Sequence, residues 1–251
     1  MEVKLTRVTY EPVMAIEEAA SNCYDSEPSA DGHIMKACYK SGHTSVLEFA
    51  QFTFHITGVS RSLLAQITRH RISGFAVRSQ RYCDEDGFGT VIPPTILKNK
   101  DALLTYYSTI KHIRKGYKDL QACGIPNEDA RYVLPNACET VLEYTGNARS
   151  LANFFNERLC FRAQWEIRQL AQMMRDEIIK HDEQSARIAE TAFVPKCEKY
   201  GKDCAFCTEH KSCGKYPKLK NIFEGYRSAL VNPLADAISD RDREMERKIN
   251  G

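Results

Sequence analysis

The sequence predicts a mixed helix-and-strand fold built on one large core, for three reasons. Residues 51–57 alternate Phe52, Phe54 and Ile56 with Gln51, Thr53, His55 and Thr57, the period of two that gives a strand one buried face. Residues 101–123 and 147–181 are long stretches of helical character. A chain of 251 residues with 43% hydrophobic content can bury one large domain, or one domain with a small appendage, without covalent staples.

In chain order, Val3, Leu5 and the β-branched residues to Thr9 predict a short opening strand. Pro12 suits the first turn of a helix, and Val13 to Cys23 carries apolar residues at helical intervals. A second helix is expected from about Ser29 to Ser41, stopped by Gly42. The strand at 51–57 follows, and its polar face is a candidate site lining. Ser60 is placed to cap a helix through Leu63, Leu64 and Ile67, with Gln66 and Arg69 one turn apart on one face. Gly74 and the Pro93-Pro94 pair interrupt regular structure. Within 147–181, Leu151, Phe154, Phe155 and Leu159 form a buried stripe, with Arg149 and Asn153 on another. Asn153 and Arg158, five residues apart, diverge by about 140° of helix azimuth and so are expected to serve different ligands or neighbouring subunits.

The 35 basic residues are nearly balanced by 33 acidic ones, leaving a formal charge of +2. A nucleotide site would therefore be a local concentration of charge, and a nucleic acid polymer is not an expected partner. No apolar run reaches membrane-spanning length, and Met1-Glu2-Val3-Lys4-Leu5-Thr6 lacks the apolar core of a signal peptide, so a soluble cytoplasmic protein with no membrane partner is expected. Its ten cysteines read as reduced thiols.

The densest chemistry lies in residues 69–82, where Arg69, Arg71, Arg78 and Arg81 share fourteen positions with His70, Ser73 and Ser79. Planar, permanently charged guanidinium forks with hydroxyls beside them suit phosphate. Arg-His-Arg, seven residues, then Ser79-Gln80-Arg81-Tyr82 resembles the signature of the flavin-dependent thymidylate synthases. The resemblance extends upstream to His43-Thr44-Ser45-Val46-Leu47-Glu48, Phe52-Thr53-Phe54-His55 and Gln66. Downstream it takes in Ala130-Arg131-Tyr132-Val133-Leu134-Pro135, Asn147-Ala148-Arg149-Ser150-Leu151, Asn153, Arg158 and Ala163-Gln164-Trp165-Glu166-Ile167-Arg168. It covers about residues 10 to 180.

The resemblance implies an α+β fold, a single large domain with a central sheet flanked by long helices, assembled as a homotetramer with active sites shared between subunits. It implies reductive methylation of dUMP to dTMP, with 5,10-methylenetetrahydrofolate as carbon donor and NADPH supplying hydride through FAD. By the same resemblance Arg158 is the catalytic cation, favouring N3-deprotonated uracil, and Gln66, Arg69, Ser79, Gln80, Arg81, Arg131 and Arg158 hold dUMP. Arg81 and Arg131 are the phosphate candidates. FAD falls to His43, Ser45, Arg69, His70, Arg71, Asn147, Arg149 and Asn153, a set in which arginine suits pyrophosphate and asparagine the flavin edge. For His43 a capping or core role competes. One departure is Val77, where the family often carries Glu or Gln; a valine side chain offers no hydrogen bond.

Ser79 has no sequence-adjacent base to activate it as a nucleophile, and no cysteine carries the pattern of an attacking thiol. No Gly-x-Gly-x-x-Gly is present, so NADPH is not expected to occupy a Rossmann domain. Residues 1–190 are assigned to the catalytic FAD- and dUMP-binding part, and 191–251 to a Cys-rich loop and C-terminal helical extension of the same domain. In that extension Cys197, Cys204, Cys207 and Cys213 are candidates for a structural zinc, for free thiols, or for a disulfide or iron–sulfur role. Ile222 to Ile249 reads as helical with a break at Pro233. The rival from another class is a zinc-bearing nucleic-acid-binding protein, disfavoured by near-neutral charge; a degenerate relative without turnover is a third reading, motivated by Val77.

Overall fold

The computed structural model describes residues 1–219 and 221–222. The chain divides into two compact units, Met1–Pro195 and Lys196–Gly251. The first opens with strand β1 (Glu2–Val8), helices α1 (Pro12–Tyr24) and α2 (His33–Lys40), and a 3-10 segment, Thr44–Phe49. Strand β2 (Gln51–Ser60), helix α3 (Arg61–Ile67) and strand β3 (Ser73–Val77) follow. After short α4 (Pro94–Leu97) come the long α5 (Lys100–Ala122), short α6 (Asn127–Ala130) and strand β4 (Glu139–Asn147). Helices α7 (Ala148–Arg158), α8 (Trp165–His181) and α9 (Glu183–Ala192) complete it.

The four strands form one antiparallel sheet in the order β1-β2-β4-β3. Strand alternation divides its faces. Phe52, Phe54 and Ile56 of β2 and Leu142 and Tyr144 of β4 are buried with Leu151, Phe154 and Phe155 of α7, Ile167, Leu170 and Met174 of α8, and Val13 and Ile16 of α1. Glu143, Thr145, Gly74 and Ala76 on the other face are exposed. Helices thus cover one face of the sheet, an arrangement open to antiparallel sheets but rarely to parallel ones.

Two glycines serve close approach. Gly58, at φ +65° where the β2 register shifts, lies so near the chain start that an added Cβ would sit 2.9 Å from the Met1 nitrogen. Gly74 faces Thr145 across the β3–β4 pair, and a Cβ there would meet the threonine Cγ2 at 2.9 Å.

The Ser60 cap forms as expected: its hydroxyl oxygen accepts the Leu63 N–H at 3.0 Å. The buried Glu166 carboxylate in turn accepts the Ser60 N–H at 2.7 Å and its hydroxyl at 2.6 Å, fastening α3 to α8. The expected mostly helical stretch at 147–181 forms two helices separated at 159–164, where Gln164 caps α8 afresh by accepting the Glu166 and Ile167 N–H groups. The helix expected over 222–249 lies outside the described residues apart from its first position.

Candidate active site at the Arg-His-Arg turn

Between α3 and β3 the chain makes a turn that carries Arg69, His70 and Arg71. The expected one-turn spacing of Gln66 and Arg69 on a common helix face is corrected here: α3 ends at Ile67 and Thr68 caps it, its hydroxyl donating to the Leu64 carbonyl at 2.8 Å. The next bonds tighten to the i→i−3 pattern, His70 N to the Ile67 carbonyl at 3.0 Å, so Arg69 leaves the helix and is exposed. Gln66 instead lies along α3, its amide donating to the Ser62 carbonyl at 3.4 Å.

His70 turns inward. Its ring packs edge-on to Phe154 with centroids 5.1 Å apart, and its Nε2 accepts the Nε–H of Arg158 at 2.9 Å. Arginine Nε can only donate, so the imidazole proton sits on Nδ1. Burial, and then the neighbouring Arg158 charge, push the imidazole down to about 4, so the ring is neutral at pH 7 and can accept this bond. Arg158, at the end of α7, is thereby oriented through Nε, leaving its two terminal nitrogens for other partners.

A second group lies past the far end of β3. Arg81 pairs through Nε with the Glu128 carboxylate, and Arg131 Nε donates to the Glu128 carbonyl at 2.9 Å. Arg81 and Arg131, fifty residues apart in sequence, thus converge on one residue of α6. The Ser79 hydroxyl oxygen accepts the Arg81 N–H at 3.2 Å, a turn-forming contact. Gln80 directs its amide to the buried Cys138 sulfur at 3.6 Å, where burial raises the thiol to about 11 and keeps it protonated.

A third group joins the 3-10 segment to the start of α7. Arg149 pairs with Glu48, which brings Ser45 and its segment toward α7. His43 sits at the N-terminal cap of that 3-10 segment, its N–H donating to the Cys38 carbonyl at 2.8 Å, and lines a cavity of about 370 Å³ with His33, Ile34 and Cys38. Asn147 is the cap of α7, its side-chain oxygen accepting the Ser150 N–H at 2.8 Å, and its amide NH2 is not used in the cap. Arg149 and Asn153 are exposed and share a stripe, but Arg149 lies about 180° around α7 from Arg158.

The family model described as "thymidylate synthase complementing protein" matches residues 4–182. The chain belongs to the flavin-dependent thymidylate synthase family. It is 36% identical over 253 residues to the flavin-dependent thymidylate synthase of Clostridium tetani, an alignment covering 89% of this chain and 97% of that one. It is 37% identical to that of Geobacter sulfurreducens, covering 89% and 98%. Thymidylate synthase X of Helicobacter pylori, solved with FAD and dUMP, superposes with a TM-score of 0.63 at 26% identity over 77% of this chain and 99% of that one. The UMP/dUMP methylase PolB of Streptomyces cacaoi, at 20% identity and a TM-score of 0.65, shares the fold.

Val77, whose side chain offers no hydrogen bond, has a packing role. Ser73, Phe75 and Val77 point to the core side of β3, and Val77 packs against the main hydrophobic cluster opposite Leu142. Among the described residues, Cys197, Cys204, Cys207 and Cys213 included, no three His, Cys, Asp or Glu side chains converge as metal ligands. Cys207 is buried where its main chain pairs with Pro217 and Leu219, whereas Cys204 and Cys213 are exposed. Glu128 and Glu48 pair with the candidate arginines Arg81 and Arg149, and sequence reasoning missed both; Glu48 ends the His43-to-Glu48 motif, but nothing in the sequence pairs it with Arg149.

Proposed function

We propose that this flavin-dependent thymidylate synthase methylates dUMP to dTMP with 5,10-methylenetetrahydrofolate as carbon donor and NADPH as reductant through FAD. Arg158 is the catalytic cation, and the observation that carries this is its Nε–H bond to neutral His70. A guanidinium held through Nε presents its terminal N–H donors in a fixed plane. Against a uracil edge it favours the N3-deprotonated ring and so raises the electron density at C5, without reorganising as charge develops.

Arg81 and Arg131 bind the phosphate of dUMP, and Ser79 and Gln80 border it. The exposed guanidiniums of Arg69 and Arg71 and the exposed amide of Asn153 form a donor set that fits a cofactor with a pyrophosphate and an amide-bearing ring. FAD bound by these residues, with Ser45, His70, Asn147 and Arg149, supplies hydride transfer. His43 lies beside it. No described helix is long and apolar enough to cross a membrane, and we assign the reaction to the cytoplasm.

The active site is shared between subunits of a homotetramer, and two features support this. The His70–Arg158 pair and the Arg81–Arg131 pair stand at opposite ends of β3, whose five residues span about 17 Å of main chain at the ordinary strand rise. Arg149 and Asn153 likewise face away from Arg158 around α7. Each protomer therefore offers parts of different sites. The test is turnover: Arg158→Ala retains the fold and loses dTMP formation, and activity at the wild-type level would remove Arg158 from this role.

A further inference from the structure

We infer that Ser150 is a positioning residue for the Arg69–Ile72 turn, acting through the main-chain carbonyl of Ile72. Ile72 has φ 63°, the left-handed region in which a β-branched residue is a genuine outlier. Its side chain gains little in return, being 80% exposed. The conformation is held by the main chain: the Ser150 hydroxyl donates to the Ile72 carbonyl at 2.9 Å.

That hydroxyl has no competing role in its own helix. The Ser150 N–H is already satisfied by Asn147, so the side chain is not needed as a cap. A serine inside a helix ordinarily turns its hydroxyl back to the carbonyl four residues before it. Here it reaches a carbonyl 78 residues away in sequence. Ser150 is itself buried, so packing holds its hydroxyl in place toward the turn.

The consequence follows from where Ile72 stands. It is the residue between Arg71 and the first residue of β3, so its left-handed turn sets the direction in which the preceding Arg69, His70 and Arg71 leave the sheet. Helix α7 then grips this turn twice, at Ser150 in its first turn and at Arg158 in its last, through His70. Loosening the first grip tilts the Arg-His-Arg donors and disturbs the second.

The proposal rests on the reading that Arg69, His70 and Arg71 hold FAD. The test measures the FAD dissociation constant of the full-length protein by flavin fluorescence for wild type, Ser150→Ala, Ile72→Gly and the double variant. Amide exchange across 69–74 is followed in parallel. Ser150→Ala is expected to weaken FAD about threefold to tenfold, the worth of one neutral hydrogen bond, and to speed exchange in the turn. Adding Ile72→Gly is expected to recover most of both losses, because glycine adopts positive φ without the Cβ clash. A general packing defect would not be recovered by a change at residue 72. Unchanged FAD binding and exchange in Ser150→Ala would overturn the proposal, as would losses that Ile72→Gly leaves in place. If wild type binds no FAD, the flavin reading fails, and the exchange of the turn in the four proteins still decides the latch.

Discussion

Replacing His70 by glutamine removes a titrating ring while placing an amide oxygen where Nε2 accepts from Arg158, and the pH dependence of stability then isolates what the ring contributes. In the folded protein the imidazole is pushed down to about 4, by burial first and the Arg158 charge second, against 6.5 for an unperturbed histidine. The unfolded chain therefore binds a proton at His70 that the folded chain refuses. The stability associated with the neutral ring is complete above the unfolded value and is lost as pH falls from 6.5 toward 4. At pH 5 an unscreened site would have lost about 2 kcal/mol, and partial solvent screening brings this to about 1–2 kcal/mol. Urea unfolding of wild type and His70→Gln at pH 7.5, 6 and 5, at one protein concentration, measures the difference, and the other histidines cancel between the two proteins. Wild type is expected to lose about 1–2 kcal/mol more than the variant between pH 7.5 and 5. Parallel curves, or a His70 titration observed near 6.5, would refute the neutral-acceptor geometry.

The same bond sets the expectation for catalysis. Arg158→Ala should lower kcat at least about a hundredfold with the circular dichroism spectrum unchanged, as expected when a fixed charge at the reacting ring is removed. Arg131→Ala should raise the KM for dUMP about tenfold to a hundredfold, the loss of one charge-assisted hydrogen bond, with kcat less affected; an unchanged KM would free Arg131 from the phosphate. Glu166→Ala leaves the buried Ser60 N–H and hydroxyl without their acceptor and should destabilise by about 2–3 kcal/mol in urea unfolding, and a loss below about 0.5 kcal/mol would contradict the fastening of α3 to α8.

Much of the frame was legible because its signals are local. Alternation at 51–57 becomes β2, Ser60 caps α3 as its position suggests, and Leu151, Phe154 and Phe155 bury together on α7. Strand β4 was not predicted although Thr140, Leu142 and Tyr144 alternate with Glu139, Val141, Glu143 and Thr145 in the same period of two. Strand β3 was obscured by Gly74, which reads as a breaker in sequence but is required by the close approach of Thr145 across the sheet. The candidate site was legible as a set of residue types, to which the family resemblance attached expected roles. Its geometry was not, because Arg158 meets His70 across 88 positions and Arg81 meets Glu128 across 47, pairings that only sheet order and helix packing determine. The end of α3 before Arg69 lies where the main-chain bonds shift from i→i−4 at Thr68 to i→i−3 at Arg69 and His70, a change that periodicity does not register.

The most direct measurement is dTMP formation from dUMP, methylenetetrahydrofolate and NADPH by the purified protein, with and without added FAD. Product that depends on FAD and disappears in Arg158→Ala is the expected result. Absence of product from protein that binds both flavin and dUMP would contradict it.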